Sequence, residues 1–160
     1  MVRVLLGLLA LAAAATAAAG DIPAGAPAKP RVYLIALGDN GHRGAPVGCG
    51  DSLIADGRAA PTGIDGLRAS IERLLALPRE PFGERGPYNA LGGSHLVLDG
   101  LRLEQRRVVV TLHGWLSLGG LCDGPRVRAQ LEATATQLPD TGRAELRLNG
   151  KPLAAALSLQ

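Results

Sequence analysis

The pattern of apolar and polar residues changes several times along the chain, and each change marks a predicted element. The run 31–37 is almost continuously apolar, which is typical of a strand buried on both faces and therefore central in a sheet. The segment 38–63 is rich in Gly and Pro and predicts a loop with a short strand over 52–55. Over 64–75 apolar residues recur at i, i+3 and i+4, so an amphipathic helix is expected there, ended by Pro78.

The second half of the chain predicts a hairpin, a helix and a strand. The run 95–103 alternates with a break at 99–100, typical of a bulged strand, and 108–112 is its antiparallel partner. A second helix is expected over 125–138, with a proline at its first position, and 143–148 alternates as the last strand. The order β-α-β-β-α-β predicts an α/β (α+β) fold, in which two helices pack on one face of a small mixed sheet of about four strands.

The N-terminus has the pattern of a secretory signal peptide. A basic start at Arg3 precedes the apolar run 4–15, and the small residues Ala17 and Ala19 predict cleavage that removes 1–19. The apolar run would form roughly 18–20 Å of helix, which is short for a bilayer span, although a retained membrane anchor stays open as the alternative. We therefore expect export to the periplasm, the cell envelope or the medium, with no stable membrane span after cleavage.

The remaining chain is long enough for one domain. Residues 20–30 are rich in Pro, Ala and Gly and predict a flexible leader. The folded domain is expected over 31–153, with a weakly specified tail at 154–160. Apolar residues make up 47% of the chain but aromatic residues only 2%, so the core is expected to be aliphatic.

The charge balance argues against a nucleic-acid partner. The chain has 17 basic and 14 acidic residues, and loss of Arg3 with the signal leaves a net charge of +2. Nucleic-acid binding normally requires a clustered basic face and a larger positive charge. We expect no nucleic acid among its partners, and the oligomeric state stays open.

The only two cysteines, Cys49 and Cys122, lie in separate Gly-rich loops. An even count in an exported chain favours one structural disulfide. The alternatives are a metal ligand or a nucleophile. A nucleophilic Cys49, with His42 as base and Asp51 as orienter, would make the chain an envelope hydrolase or transferase with a loop site.

Other candidate chemistry is sparse. His42, His95 and His113 lack the spacing of metal ligands, so no metal site is predicted. Ser117 lacks the Gly-x-Ser-x-Gly pattern that exposes a nucleophilic serine. We therefore expect neither a cofactor nor a catalytic site.

The best candidates for an interaction surface are basic and aromatic. Arg102, Arg106 and Arg107 cluster at the predicted hairpin, where they either meet an anionic envelope partner or are simply solvated. Trp115 lies in the loop predicted before the second helix. An exposed Trp115 could anchor a protein or a saccharide, but burial against the aliphatic core is the expected placement.

Four segments carry a resemblance to a known family: the strand VYLIAL at 32–37, GCGDSL at 48–53, the helix AQLEAT at 129–134 and the ending LNGKPL at 148–153. With them the chain, from about 32 to 153, resembles the GerMN domain, named after spore germination protein M. The resemblance implies an exported or envelope-facing module with an α/β fold similar to ring-building motifs of secretion and sporulation assemblies. It implies interaction or scaffolding with an envelope protein or cell-wall component, and no shared catalytic residue.

Overall fold

The computed structural model describes residues 29–139 and 141–158, so the predicted signal peptide 1–19 and most of the leader 20–30 lie outside the described residues. The described part confirms the α+β class, with its strands in two sheets. Its elements, in chain order, are β1 Arg31–Ala36, β2 Ala45–Val47, β3 Asp51–Ala59, α1 Gly63–Ala76, β4 His95–Glu104, β5 Arg107–Trp115, α2 Asp123–Ala135, β6 Arg143–Leu148, β7 Lys151–Pro152 and α3 Leu153–Leu157.

The first sheet is antiparallel, in the order β1-β3-β2. The expectation that β1 is central is wrong, because β1 is the end strand of this order. Its free edge is nevertheless covered, since Ile35 and Tyr88 exchange backbone hydrogen bonds of 2.9 and 2.7 Å. Both α1 and α2 contact β1 and bury Val32 and Leu34 completely. Burial by a loop and two helices, rather than by two strands, explains the apolar run.

The second sheet is mixed and has the order β4-β5-β6-β7, with β4 and β5 antiparallel and β5 and β6 parallel. The predicted hairpin and its irregularity are confirmed, because the register shifts between Leu98 and Gly100. The extra residue reverses which positions of β4 face inward. Leu98 pairs with Leu112 before the shift, and Leu101 pairs with Val110 after it, so both leucines lie on the core side.

One aliphatic core joins the helices to both sheets. The helix α1 contacts β4, and α2 contacts β6, so the mixed sheet has its inner face against the helices. Alternation along β5 then places every second residue on the opposite side. We call that side the outer face; its residues, taken from the registers of β4, β5 and β6, include Val97, Arg102, Glu104, Arg107, Val109, Thr111, His113, Trp115, Arg143, Glu145 and Arg147.

A buried glutamine ties α2 to the rest of the fold. The side-chain amide of Gln130 donates to the carbonyl of Tyr33 at 2.9 Å and accepts from the N–H of Ala90 at 2.9 Å. Four residues further along the helix, Thr134 accepts from the N–H of Tyr33 at 3.2 Å. The Gln-x-x-x-Thr pattern of the sequence thus satisfies backbone groups of β1 that have no partner strand on that side.

The C-terminal segment, expected to be weakly specified, forms β7 and the short helix α3. Leu153 is buried in the core, and Ala156 and Leu157 pack against it, which explains why the segment is ordered as a helix. Over residues 29–139 and 141–158, no helix has the length and apolar character needed to cross a membrane.

Candidate functional site

The outer face carries an apolar patch at one end. Trp115, the last residue of β5, is 69% exposed, and Val97 on β4 is 55% exposed. Trp115 lies opposite His95, and Val97 lies opposite His113, so Trp115 and Val97 are diagonal neighbours on the same side of the hairpin. Two apolar side chains of this size, side by side in water, form a patch of the kind that marks interaction sites.

The expectation that Trp115 is buried is wrong. The strand β5 extends to position 115, and alternation places Trp115 on the same side as Arg107 and His113. The core is closed instead by the next residue, Leu116, which is 5% exposed. The sequence pattern ended β5 three residues too early, at 112 instead of Trp115, because Gly114 was read as the start of a loop.

The other end of the outer face is a network of ion pairs. Glu104 accepts from Arg102 and from Arg107, each at 2.6 Å. Glu145 on β6 pairs with Arg107 at 3.0 Å and with Arg147 at 2.5 Å. We call these five residues the arginine ladder, since each glutamate bridges two arginines across the strands. The ladder has one more arginine than glutamate and is therefore positively charged.

The ladder favours the charged forms of Glu104 and Arg107. Hydrogen bonds from Arg102 and Arg107 hold the pKa of Glu104 below its usual range. The hydrogen bond to Glu104, followed by the charge of Glu145, raises the pKa of Arg107. Val109, which lies between Arg102 and Glu145 in the register, is only 1% exposed. The paired residues of the ladder thus flank a buried apolar residue in the middle of the face.

The structure brings together most, but not all, of the predicted interaction residues. Arg102 and Arg107 meet through Glu104, and Arg106 lies beside them as an exposed residue of the hairpin turn. Trp115 lies at the far end of β5, about 26 Å from Arg107 at 3.3 Å per residue. Sequence reasoning missed the contribution of β6, namely Arg143, Glu145 and Arg147, because the parallel pairing of β5 with β6 cannot be read from alternation alone.

The predicted disulfide is present. Cys49 and Cys122 are bonded, with Cα atoms 6.1 Å apart and a sequence separation of 73. The bond joins the segment before β3 to the N-terminus of α2. A bonded sulfur cannot act as a nucleophile, so a catalytic Cys49 would first require reduction of this disulfide.

The two residues expected to assist a nucleophilic Cys49 are not arranged for that role. Asp51 is buried and accepts from the N–H of Gly38 at 2.9 Å and from Arg126 at 2.7 Å, whereas His42 is exposed. Ser117 is held through its backbone, with its N–H donating to Ser94 at 3.0 Å. Neither Asp51 nor Ser117 is arranged as part of a nucleophile–base pair.

A second carboxylate, Asp123, organises the loop before α2. It is buried and accepts from the N–H of Gly119 at 2.6 Å, from the hydroxyl of Tyr88 at 3.0 Å and from Arg79 at 3.1 Å. Burial alone would raise the pKa of Asp123, but these donors together with Arg126 outweigh burial and lower it. This cluster is a satisfied structural network rather than a ligand site.

The outer face is therefore the best candidate functional site. Over the described ranges, no group of three or more His, Cys, Asp or Glu side chains is placed to hold a metal ion. No family model, curated protein or solved structure matches the chain, so its function is inferred from its own geometry.

Proposed function

We propose that the chain is an exported, noncatalytic interaction module of the bacterial cell envelope, similar to a GerMN domain, and that it binds its partner on the outer face. The observation that carries the proposal is the exposed pair Trp115 and Val97 on the same side of one sheet as the arginine ladder. The partner we infer is an envelope protein or cell-wall component with an acidic surface.

The composition of the face supports binding. Tryptophan and arginine are the residues that most often dominate the binding energy of protein interfaces. A tryptophan that is 69% exposed leaves a large apolar area in water, and this area gains free energy when a partner covers it. The surplus positive charge of the ladder would select an acidic partner and speed its association.

Export is supported by the disulfide together with the signal-like N-terminus. The Cys49–Cys122 bond is of the kind that persists in oxidising compartments outside the cytoplasm. The pattern of residues 1–19 independently predicts secretion. Both observations are compatible with a chain that acts in the periplasm, at the cell wall or in the medium.

The alternative is an envelope hydrolase or transferase with a loop site near Cys49. It requires reduction of the disulfide, and His42 would have to act as the base without Asp51 as its orienter, because Asp51 is bound to Arg126. His42→Ala tests this alternative, because His42 is exposed and its loss should not disturb folding. Turnover of a peptidoglycan or ester substrate that requires reductant and disappears in His42→Ala would favour the enzyme.

The binding proposal is tested by capture from a cell-envelope extract with residues 20–160 immobilised. Trp115→Ala should reduce the captured partner at least tenfold, since truncating a central aromatic residue typically costs 2 kcal/mol or more of binding free energy. Leu121→Ala is the matched control, because Leu121 is 97% exposed but lies in the loop before α2, away from the outer face. Equal capture by wild type and Trp115→Ala would refute the proposal.

A further inference from the structure

A pocket opens at the end of the outer face, where the β4–β5 turn meets the start of β6. It has a volume of about 410 Å³, and we call it the hairpin pocket; it is lined by Glu104, Gln105, Arg106, Arg107 and Arg143. Three arginines and one glutamate are thus among the residues that line this pocket. The lining residues carry a surplus of two positive charges.

Like charges are placed side by side in this pocket. Arg107 and Arg143 are register partners in the parallel pair β5–β6, so their side chains leave the sheet on the same side. Directly opposed like charges destabilise a sheet. Glu104 and Glu145 compensate the charge of Arg107 at 2.6 and 3.0 Å, but both are shared with other arginines of the ladder. The geometry therefore favours an additional anion in the pocket.

The pocket is held in place by backbone contacts. The N–H of Gly142 donates to the carbonyl of Arg106 at 2.9 Å, which fixes the start of β6 against the hairpin turn. The turn itself is tight, with Gln105 at a φ of 55°. Arg107 is oriented by two carboxylates, and its Nε atom is buried with no hydrogen-bond partner among the described residues. A binding site built on strand ends needs little reorganisation to receive a ligand.

We propose that the hairpin pocket binds a phosphate-type oxyanion, with Arg106 and Arg143 as the principal contacts and Arg107 as the third. The planar guanidinium fork matches the oxygen spacing of phosphate and donates two hydrogen bonds at once. The inference rests on the proposed function, which supplies the envelope partner, and deepens it by assigning a phosphate group to that partner. The phosphate could belong to a soluble polymer or to a lipid headgroup.

The test is an NMR titration of residues 20–160 with inorganic pyrophosphate. Saturable shifts are expected at the backbone amides of Arg106, Arg107 and Arg143. Arg106→Gln and Arg143→Gln should each weaken binding by about tenfold, as expected for loss of one charge-assisted contact. Arg58→Gln is the matched control, since Arg58 is an exposed arginine on β3 of the other sheet.

A third variant distinguishes a binding pocket from a merely basic surface. Glu104→Gln removes the carboxylate that lines the pocket and should tighten pyrophosphate binding severalfold. The inference is overturned if pyrophosphate causes no saturable shifts at the three amides, or if Arg58→Gln weakens binding as much as Arg143→Gln does. It is also overturned if Glu104→Gln weakens binding.

Vesicles identify the source of the phosphate. The protein is sedimented with vesicles of phosphatidylcholine that contain one-fifth phosphatidylglycerol. Co-sedimentation that is lost in the Arg106→Gln/Arg143→Gln double variant would support anion binding in the hairpin pocket and assign the phosphate to a lipid headgroup. Pyrophosphate binding without sedimentation would support it and assign it to a soluble phosphate. The titration needs no envelope partner, so it can succeed even if the Trp115→Ala capture experiment refutes the proposed function, and the reverse also holds.

Discussion

The guanidinium of Arg126 donates to the carboxylate of Asp51 across 75 positions of the sequence, at 2.7 Å from its Nε atom. Arg126 also pairs with Asp123 at 3.1 Å and lies over the ring of Tyr88, 5.5 Å from its centroid. Asp51 begins β3, and Arg126 lies in the first turn of α2. The disulfide Cys49–Cys122 joins the same two segments, so both an ion pair and a covalent bond connect the start of β3 to the start of α2.

Arg126→Ala should lower the free energy of unfolding by about 3 kcal/mol, because it removes the arginine paired with the buried carboxylate of Asp51 and one of the two arginines paired with Asp123. Urea denaturation measures the change. Arg128→Ala on the same helix is the control, since Arg128 forms an exposed pair with Glu132 that should contribute less than about 1 kcal/mol. Similar losses in both variants would contradict the structural role assigned to Arg126.

Replacement of both cysteines by serine should also destabilise the domain. A cross-link that closes a loop of 73 residues contributes about 4 kcal/mol in the chain-entropy model. Each kcal/mol corresponds to roughly 3–5 °C in a domain of this size, so calorimetry should detect a clear fall in Tm. Alkylation of the unreduced, denatured chain checks the pairing itself. Addition of two alkyl groups under those conditions would show that the bond is absent.

Elements with a strong local pattern were predicted correctly from the sequence. The position of a strand in its sheet was not, because it depends on pairing between distant segments. The hairpin break at 99–100 and the alternation of 143–148 were correct, because each depends on neighbouring residues. The placement of β1 was wrong, since its apolar run is covered by α1, α2 and the segment around Tyr88 rather than by two strands. The predicted arginines lie at the site. Trp115 was expected in the core, and no residue of β6 was predicted to belong to the site.

Gln130→Met should lower the free energy of unfolding by about 2–6 kcal/mol. Methionine preserves the volume of the side chain but leaves the carbonyl of Tyr33 and the N–H of Ala90 buried without a partner, at about 1–3 kcal/mol each. Gln137→Met is the control, because Gln137 also binds backbone groups of β1, at Arg31, but does so at an exposed position. Chemical denaturation should give a clearly lower free energy of unfolding for Gln130→Met than for Gln137→Met. The reverse order would refute the role assigned to the buried hydrogen bonds of Gln130.

Acid should destabilise the domain in part through Asp123. Burial opposes ionisation of this carboxylate, but Gly119, Arg126, Tyr88 and Arg79 lower its folded-state pKa below the ordinary value of 3.8. A carboxyl with a depressed folded-state pKa stabilises the fold above the unfolded value, and this contribution is lost as the pH falls through the folded value.

Asp123→Asn should therefore show a smaller loss of stability than wild type between pH 5 and pH 2, although it is less stable at pH 7. Urea denaturation at a series of pH values measures both effects. The acid dependence should be reduced rather than abolished, because Glu104 also has a depressed pKa. A fall in the free energy of unfolding with decreasing pH as steep as that of wild type would contradict the role assigned to Asp123.

The central claim is that the outer face meets the partner, and site-specific photo-crosslinking in the native cell envelope tests it most directly. p-Benzoylphenylalanine replaces Trp115 in one chain and, for comparison, the even more exposed Leu121 in another. We predict one discrete adduct from position 115, reduced by Arg102→Glu/Arg147→Glu at the far end of the same face, and none of that mass from position 121. Adducts that form only from position 121, or equally from both positions, would contradict it.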